Sequence, residues 1–127
     1  MKEILQALNR SVGINGSMIV TTDGVVVASQ LGGQLEEERV AAVASLLIRS
    51  LRRSLEQARV GPLHKCVLTA SQGKLVIVEA GSAFLIVATD ASIRLDVTLL
   101  DIEAAARRIA TYAQLQPTEP SLERFSA

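Results

Sequence analysis

The chain has one histidine and one cysteine, and they lie two residues apart as His64 and Cys66. Residues two apart on a strand share a face, so the imidazole could act as the base for a thiolate nucleophile. Residues of these types on a strand are far more often simply packed near an interface, and we favour that interpretation. A single cysteine also excludes an intrachain disulfide and a cysteine-based zinc site.

Other patterns that could do chemistry also have simpler explanations. A phosphate loop has four residues between its glycines and then Lys followed by Ser or Thr, but Gly73-Lys74 lacks the hydroxyl and lies in a predicted turn. Asp101 and Glu103 are two apart on a predicted helix and do not share a face, while Asp90 and Asp96 fit helix caps. We therefore expect no catalytic residue, no cofactor, no metal and no enzymatic activity.

Arginines cluster in the last third of a predicted long helix, where Arg49, Arg52 and Arg53 fall on one side together with Glu56. One interpretation is a solvated face on which Arg52 and Glu56 are neighbours at helical spacing. The other is a guanidinium patch that binds a partner protein, since arginine is enriched at interfaces. Both interpretations remain open, and the three arginines are the candidate partner-binding residues.

Composition limits the class of protein. A chain of 127 residues is the size of one domain, and its net charge of zero and 2% aromatic content disfavour nucleic acid as a partner. The first residues lack the apolar run of a signal peptide, and no apolar segment reaches the roughly 18 residues that a membrane span needs. We expect a soluble cytoplasmic protein.

The elements that must position these residues follow from periodicity and turn signals. Helical spacing predicts a short first helix and two long ones, β-branched runs predict strands, and Asp23-Gly24 predicts a hairpin turn because both residues tolerate positive φ. Short glycine-bearing turns make the last three strands antiparallel neighbours, and the last two are apolar enough to need cover on both faces. The predicted elements are helices over about 2–11, 35–58 and 95–115, and strands over 16–22, 25–29, 63–70, 74–79 and 83–89.

Two parts of the chain stand apart from this pattern. The long helix carries apolar residues outside its main stripe, among them Leu46, and a second partner for this helix is the simplest explanation. The polar segment 116–127 contains two prolines and cannot bury enough surface to fold alone. We expect one domain over 1–115 and a mobile tail over 116–127.

This order resembles the Roadblock family, the dynein-light-chain-like domains that also occur in bacterial GTPase regulators. The resemblance covers residues 3–114. It rests on the element order together with Val12-Gly13-Ile14-Asn15-Gly16-Ser17, Asp23-Gly24, Val25-Val26-Val27-Ala28-Ser29 and Gly61-Pro62-Leu63. It implies an α+β fold, the profilin-like sandwich, whose five-stranded antiparallel sheet has a long helix on one face and two terminal helices on the other.

The resemblance also implies how the protein acts. Two copies would pair through the long helix and the first strand of the meander, and the paired surface would bind a Ras-like small GTPase, either to stimulate GTP hydrolysis or to regulate it otherwise. The alternative is a structural scaffold or motor-complex subunit with no effect on a nucleotide cycle. The candidate residues of the homodimer interface are Val43, Leu46, Leu47, Ser50, Leu51, Leu63, Lys65 and Val67.

Overall fold

The computed structural model describes residues 1–115, so the segment predicted as a tail lies outside the described residues. Three helices and five strands follow one another in the predicted order. They are α1 (Lys2–Leu8), β1 (Ile14–Thr21), β2 (Val26–Leu31), α2 (Glu37–Gln57), β3 (Lys65–Thr69), β4 (Gly73–Ala80), β5 (Ala83–Asp90) and α3 (Leu95–Leu115).

The strands form one antiparallel sheet in the order β2-β1-β5-β4-β3. The apolar β5 lies at its centre with β4 beside it, and both strands bury side chains on each face, as predicted from their composition. β2 and β3 are the two edges.

Each face of the sheet packs against helices. On one face, α1 and α3 cover Ile19, Val76, Leu85 and their neighbours. On the other, α2 packs Ala41, Ala44 and Ile48 against the alternate residues of the same strands. We call these the α1/α3 face and the α2 face. This arrangement confirms the predicted five-stranded antiparallel sheet with one long helix opposite two terminal helices.

Several element boundaries differ from the predictions. α1 ends at Leu8 instead of residue 11, because the Asn9 side chain leaves the helix surface to bond across to the sheet: its Nδ2 donates to the Gln30 carbonyl at 2.8 Å, and its Oδ1 accepts from Ser17 Oγ at 2.7 Å. α2 begins at Glu37, and β3 is shortened to Lys65–Thr69.

The first hairpin is confirmed, but its turn differs from the one predicted. Only Gly24 has positive φ, at 88°, and three residues separate Thr21 from Val25, whose carbonyl accepts from the Thr21 N–H. The Gly24 N–H donates to the Thr21 carbonyl at 3.0 Å, and a bulge interrupts the register between Ile19 and Val20. The extra residue widens the loop, so Asp23 does not need a left-handed conformation.

Candidate protein interaction surface

One flank of α2 packs against the β1–β2 hairpin. Ser45 is buried there, and a Cβ added to Gly24 would lie 2.9 Å from Ser45 Oγ, so this close approach and the positive φ both require glycine at position 24. Arg49, Arg52 and Glu56 follow Ser45 at steps of four, three and four, and therefore continue the same flank. All three are exposed.

The other flank of α2 is apolar and open to solvent. Val43 is 52% exposed and Leu46 is 61% exposed, although neither is needed to attach the helix to its own sheet. Ser50, which follows Leu46 by four residues, is exposed on the same side of the helix. Leu47 and Leu51 are half-buried against the core. We call Val43, Leu46, Leu47 and Ser50 the open flank of α2. Contact with another molecule would remove this apolar surface from water.

The edge strand β3 offers unpaired backbone groups. The Glu79 N–H donates to the His64 carbonyl at 2.8 Å, and the Ala70 N–H donates to the Gly73 carbonyl at 2.9 Å. Since antiparallel pairing alternates along a strand, the even-numbered residues of β3 bond to β4. The N–H and C=O groups of Lys65, Val67 and Thr69 therefore point away from the sheet, where they can pair with another strand.

The side chains of β3 divide between the two faces of the sheet. Cys66 packs against the α2-side core, and Leu68 lies opposite Leu75 of that core and is 38% exposed. Lys65 and Val67 point to the α1/α3 face, where Lys65 Nζ lies 3.0 Å from Glu103 Oε2. The candidates Lys65 and Val67 therefore lie on the opposite face of the sheet from the open flank of α2. Cys66 and Leu68, which were not predicted as interface residues, lie on the same face of the sheet as that flank.

Leu63 takes a different position from the other interface candidates. It is 6% exposed and packs beneath α2 with Met18, Ile48 and Ile77. Its side chain therefore fills the core of its own chain and has little surface left for a second copy.

The arginines in the second half of α2, Arg49, Arg52 and Arg53, are exposed. Arg53 lies seven residues after Leu46 and three after Ser50, so it borders the open flank, while Arg49 and Arg52 lie on the hairpin flank. Among residues 1–115, no ion pair involves any of the three, including the predicted neighbours Arg52 and Glu56. Arg52 and Val60 are among the residues that line an open cavity of about 490 Å³. Guanidinium groups without an internal partner can bind carboxylates of another protein.

The residues that could do chemistry have structural partners. His64 Nδ1 lies 3.0 Å from Glu79 Oε1, at an exposed site where such a pair contributes little. Asp90 accepts from Asn15 Nδ2 at 3.0 Å, and Asp101 accepts from Ser11 Oγ at 3.4 Å. Within residues 1–115, no group of three or more His, Cys, Asp or Glu side chains is arranged to hold a metal ion. In the same range, no helix is both long and apolar enough to cross a bilayer.

Solved structures share this fold at low sequence identity. A Roadblock/LC7 domain from Streptomyces avermitilis superposes with a TM-score of 0.82 at 16% identity, covering 90% of this chain and 98% of that one. The gliding protein MglB of Thermus thermophilus gives 0.80 at 18% identity, covering 90% and 88%. An Acanthamoeba castellanii profilin gives 0.59 at 12% identity, covering 88% and 98%, which confirms the predicted profilin-like sandwich.

Sequence comparison gives the family directly. Two proteins of Methanocaldococcus jannaschii, both described as uncharacterized, are each 37% identical over 106 residues, covering 84% of this chain and 93% of each relative. The family model described as Roadblock/LC7 domain matches residues 1–90. The chain therefore belongs to the Roadblock/LC7 domain family.

Proposed function

We propose that this protein is a homodimeric adaptor without an active site of its own, which binds and regulates a Ras-like small GTPase. The observation that carries the proposal is the open flank of α2 on the same molecule as the unpaired edge of β3. An exposed apolar helix flank and an unprotected strand edge are both features that soluble proteins usually cover. A second copy of the chain covers both at once.

Charge favours an antiparallel arrangement of the two long helices. Glu36 occupies the N-cap position of α2, Glu37 and Glu38 lie in its first turn, and its second half carries Arg49, Arg52 and Arg53. Antiparallel pairing about a two-fold axis near Leu46 and Leu47 brings the acidic start of one helix towards the basic part of the other. The same axis joins the two β3 edges and makes one continuous sheet.

A small GTPase as the second partner is supported by the family and by the free guanidinium groups. MglB, a gliding protein of Thermus thermophilus, shares the fold, and the resemblance to the Roadblock family implies a Ras-like small GTPase as the partner. Arg49 and Arg52 remain on the hairpin flank of α2, away from the open flank that the second copy occupies. Their positive charges suit a partner surface that carries carboxylates.

The dimer is tested by Leu46→Asp. Pairing would bury two such carboxylates near the two-fold axis, and a buried unpaired charge costs several kcal/mol, so we expect the dimer to weaken by about 100-fold or more. Light scattering coupled to size exclusion measures the mass over a concentration series. The matched control is Leu100→Asp, at a leucine that is 67% exposed on α3, which should leave the dimer intact. A monomeric wild-type protein at tens of micromolar contradicts the proposal.

Regulation is tested by calorimetry against Ras-like GTPases of the source cell, each loaded with GDP or with a non-hydrolysable GTP analogue. GTPase switch loops are ordered differently in the two states, so a regulator that touches them binds one state more tightly. Arg49→Glu with Arg52→Glu should weaken binding, while Arg94→Glu, at the exposed residue just before α3, should not. Equal affinity for both states favours a scaffold, and binding to none favours the structural-subunit alternative.

A further inference from the structure

A shallow groove runs between α1 and α3, on the side of the sheet opposite to the open flank of α2. Its volume is about 280 Å³. α1 contributes Ile4, Ala7 and Leu8 to the lining, and α3 contributes Ala104 and Ala105, so the floor is apolar. We call it the α1–α3 groove. Because alanine side chains are short, another helix can approach this floor closely.

The α1–α3 groove carries opposite charges at its two ends. Asp101 and Arg108 both line it, and both are exposed. They are seven residues apart on α3, so they lie on the same flank of the helix but about 10 Å apart along its axis. Within residues 1–115, the Asp101 side chain accepts only a hydrogen bond from Ser11 Oγ at 3.4 Å, and no ion pair involves Asp101 or Arg108. The described part of the chain therefore leaves both charges available to another molecule.

This arrangement of charges is complementary to itself. Asp101 lies three residues before Ala104, and Arg108 lies three residues after Ala105. A two-fold axis through the midpoint between the two alanines relates two antiparallel α3 helices and keeps the same flank of each in contact. Asp101 of each copy then lies opposite Arg108 of the other, and both ends of the groove are satisfied.

Exposed apolar side chains have the same symmetry. Val97 lies seven residues before Ala104, and Tyr112 lies seven residues after Ala105. Val97 is 57% exposed and Tyr112 is 40% exposed. Antiparallel packing about the same axis brings Val97 of each copy towards Tyr112 of the other, which removes apolar surface from water.

We propose that the α1–α3 groove is a second self-association surface, on which another copy of the chain packs with its α3 antiparallel. Asp101 of each copy pairs with Arg108 of the other, and the alanines lie where the two helices come closest. A partner with charge of one sign satisfies only one end of the groove and leaves the other charge unpaired, whereas a second copy satisfies both ends. The groove faces away from α2, so this contact adds to the pairing proposed through α2 and does not compete with it.

This contact is the weaker of the two. It consists of one helix pair, and exposed ion pairs each contribute little. We expect a dissociation constant on the order of 0.1 mM, in the range of small and transient interfaces. Measurements of the α2 dimer at tens of micromolar are therefore little affected by it.

Sedimentation velocity of the full-length chain over a concentration series, from about 10 μM to about 1 mM, measures the association. We expect the average mass to double at the upper end of this series. Asp101→Arg or Arg108→Asp alone should weaken this step about tenfold or more, because two attractions become two repulsions. Asp23→Arg, which makes the same change of charge at an exposed residue of the first hairpin, should leave the step unchanged. An association that neither single variant weakens overturns the proposal.

Two restoring arrangements test the pairing itself. Asp101→Arg with Arg108→Asp in one chain should associate again, because the reversed charges still lie opposite each other. An equimolar mixture of the two single variants should also associate, although neither does so alone, since each chain supplies the charge that the other lacks. Thermal unfolding checks that every variant stays folded. Failure of either arrangement to restore the association overturns the pairing of these residues.

Leu46→Asp separates this surface from the dimer proposed through α2. In that variant the association at high concentration should persist and start from the monomer, and adding Asp101→Arg should remove it. Association that is lost with Leu46→Asp and insensitive to Asp101→Arg overturns this proposal and supports the α2 dimer. Association that is lost with Asp101→Arg and insensitive to Leu46→Asp supports this proposal and contradicts the α2 dimer.

Discussion

At the scale of single residues, stability depends on how buried polar groups are satisfied. Ser17 is completely buried in β1, and its hydroxyl donates to Asn9 Oδ1, whose amide nitrogen in turn donates to the Gln30 carbonyl of β2. Within residues 1–115, no buried side-chain nitrogen or oxygen lacks a hydrogen-bond partner. The Asn9 side chain thus attaches α1 to two strands, and its loss would leave a buried hydroxyl unpaired.

We predict that Asn9→Ala lowers the free energy of unfolding by about 1–3 kcal/mol, because an unsatisfied buried hydroxyl keeps its full desolvation cost. Urea unfolding measures the change. The matched control is Asn15→Ala, which removes an exposed hydrogen bond to Asp90 and should cost no more than about 0.5 kcal/mol. Asn9→Ala combined with Ser17→Ala should be milder than the sum of the single changes, since both partners are then apolar. Equal effects of Asn9→Ala and Asn15→Ala would contradict this account.

At the scale of elements, β3 is the strand on which the interface proposal depends. Val67 and Leu68 are adjacent, but by alternation the Val67 N–H points to the open edge and the Leu68 N–H points to β4. Proline has no backbone N–H and so removes one hydrogen-bond donor at either position. A proline at residue 67 therefore tests pairing with a second copy, and a proline at residue 68 tests pairing with β4.

We predict that Val67→Pro makes the protein monomeric while its fold survives, because the lost donor faces the second copy. Leu68→Pro should instead destabilise the chain by about 1 kcal/mol, because it breaks the ladder with β4 and leaves a carbonyl of β4 without its donor. Light scattering gives the mass, and thermal unfolding followed by circular dichroism gives the stability. A dimeric Val67→Pro protein would show that β3 does not form the interface.

Sequence alone predicts the elements well but not the direction of their side chains. Periodicity and β-branched runs predict all eight elements in order, and the apolar composition of β4 and β5 predicts their central place. The face of Lys65 and Val67 could not be predicted, because β3 has exposed residues on both sides and so lacks a clear alternation. Its register comes from the turn to β4 and from Val76 and Ile77 opposite, which are contacts between elements.

At the scale of the whole molecule, the sheet separates two faces that carry different side chains. The α2 face carries the open flank of α2, the exposed arginines and Leu68, whereas the α1/α3 face carries the α1–α3 groove. The strands between them are paired continuously from β2 to β3, so a change on one face need not reach the other.

The whole-molecule consequence of pairing is one sheet that continues from one copy into the other. In a single chain the N–H groups of Lys65, Val67 and Thr69 are open to water, while those of Cys66 and Leu68 are held by β4. Pairing of the two β3 edges gives the first set acceptors and excludes water from them. Amide hydrogen exchange reports each group separately, since exchange requires the hydrogen bond to open.

We predict that exchange at Val67 and Thr69 slows as the protein concentration rises through the dimerisation range, because the dimer alone protects these amides. The amides of Cys66 and Leu68 should keep a nearly constant exchange rate. These residues are the neighbours of Val67 in the chain and therefore serve as internal controls. In the Leu46→Asp protein, Val67 and Thr69 should exchange rapidly at every concentration, because helix and strand belong to the same interface. Protection of Val67 that does not change with concentration, or that persists in the Leu46→Asp protein, would mean that the edge of β3 is covered by something other than a second copy paired through α2.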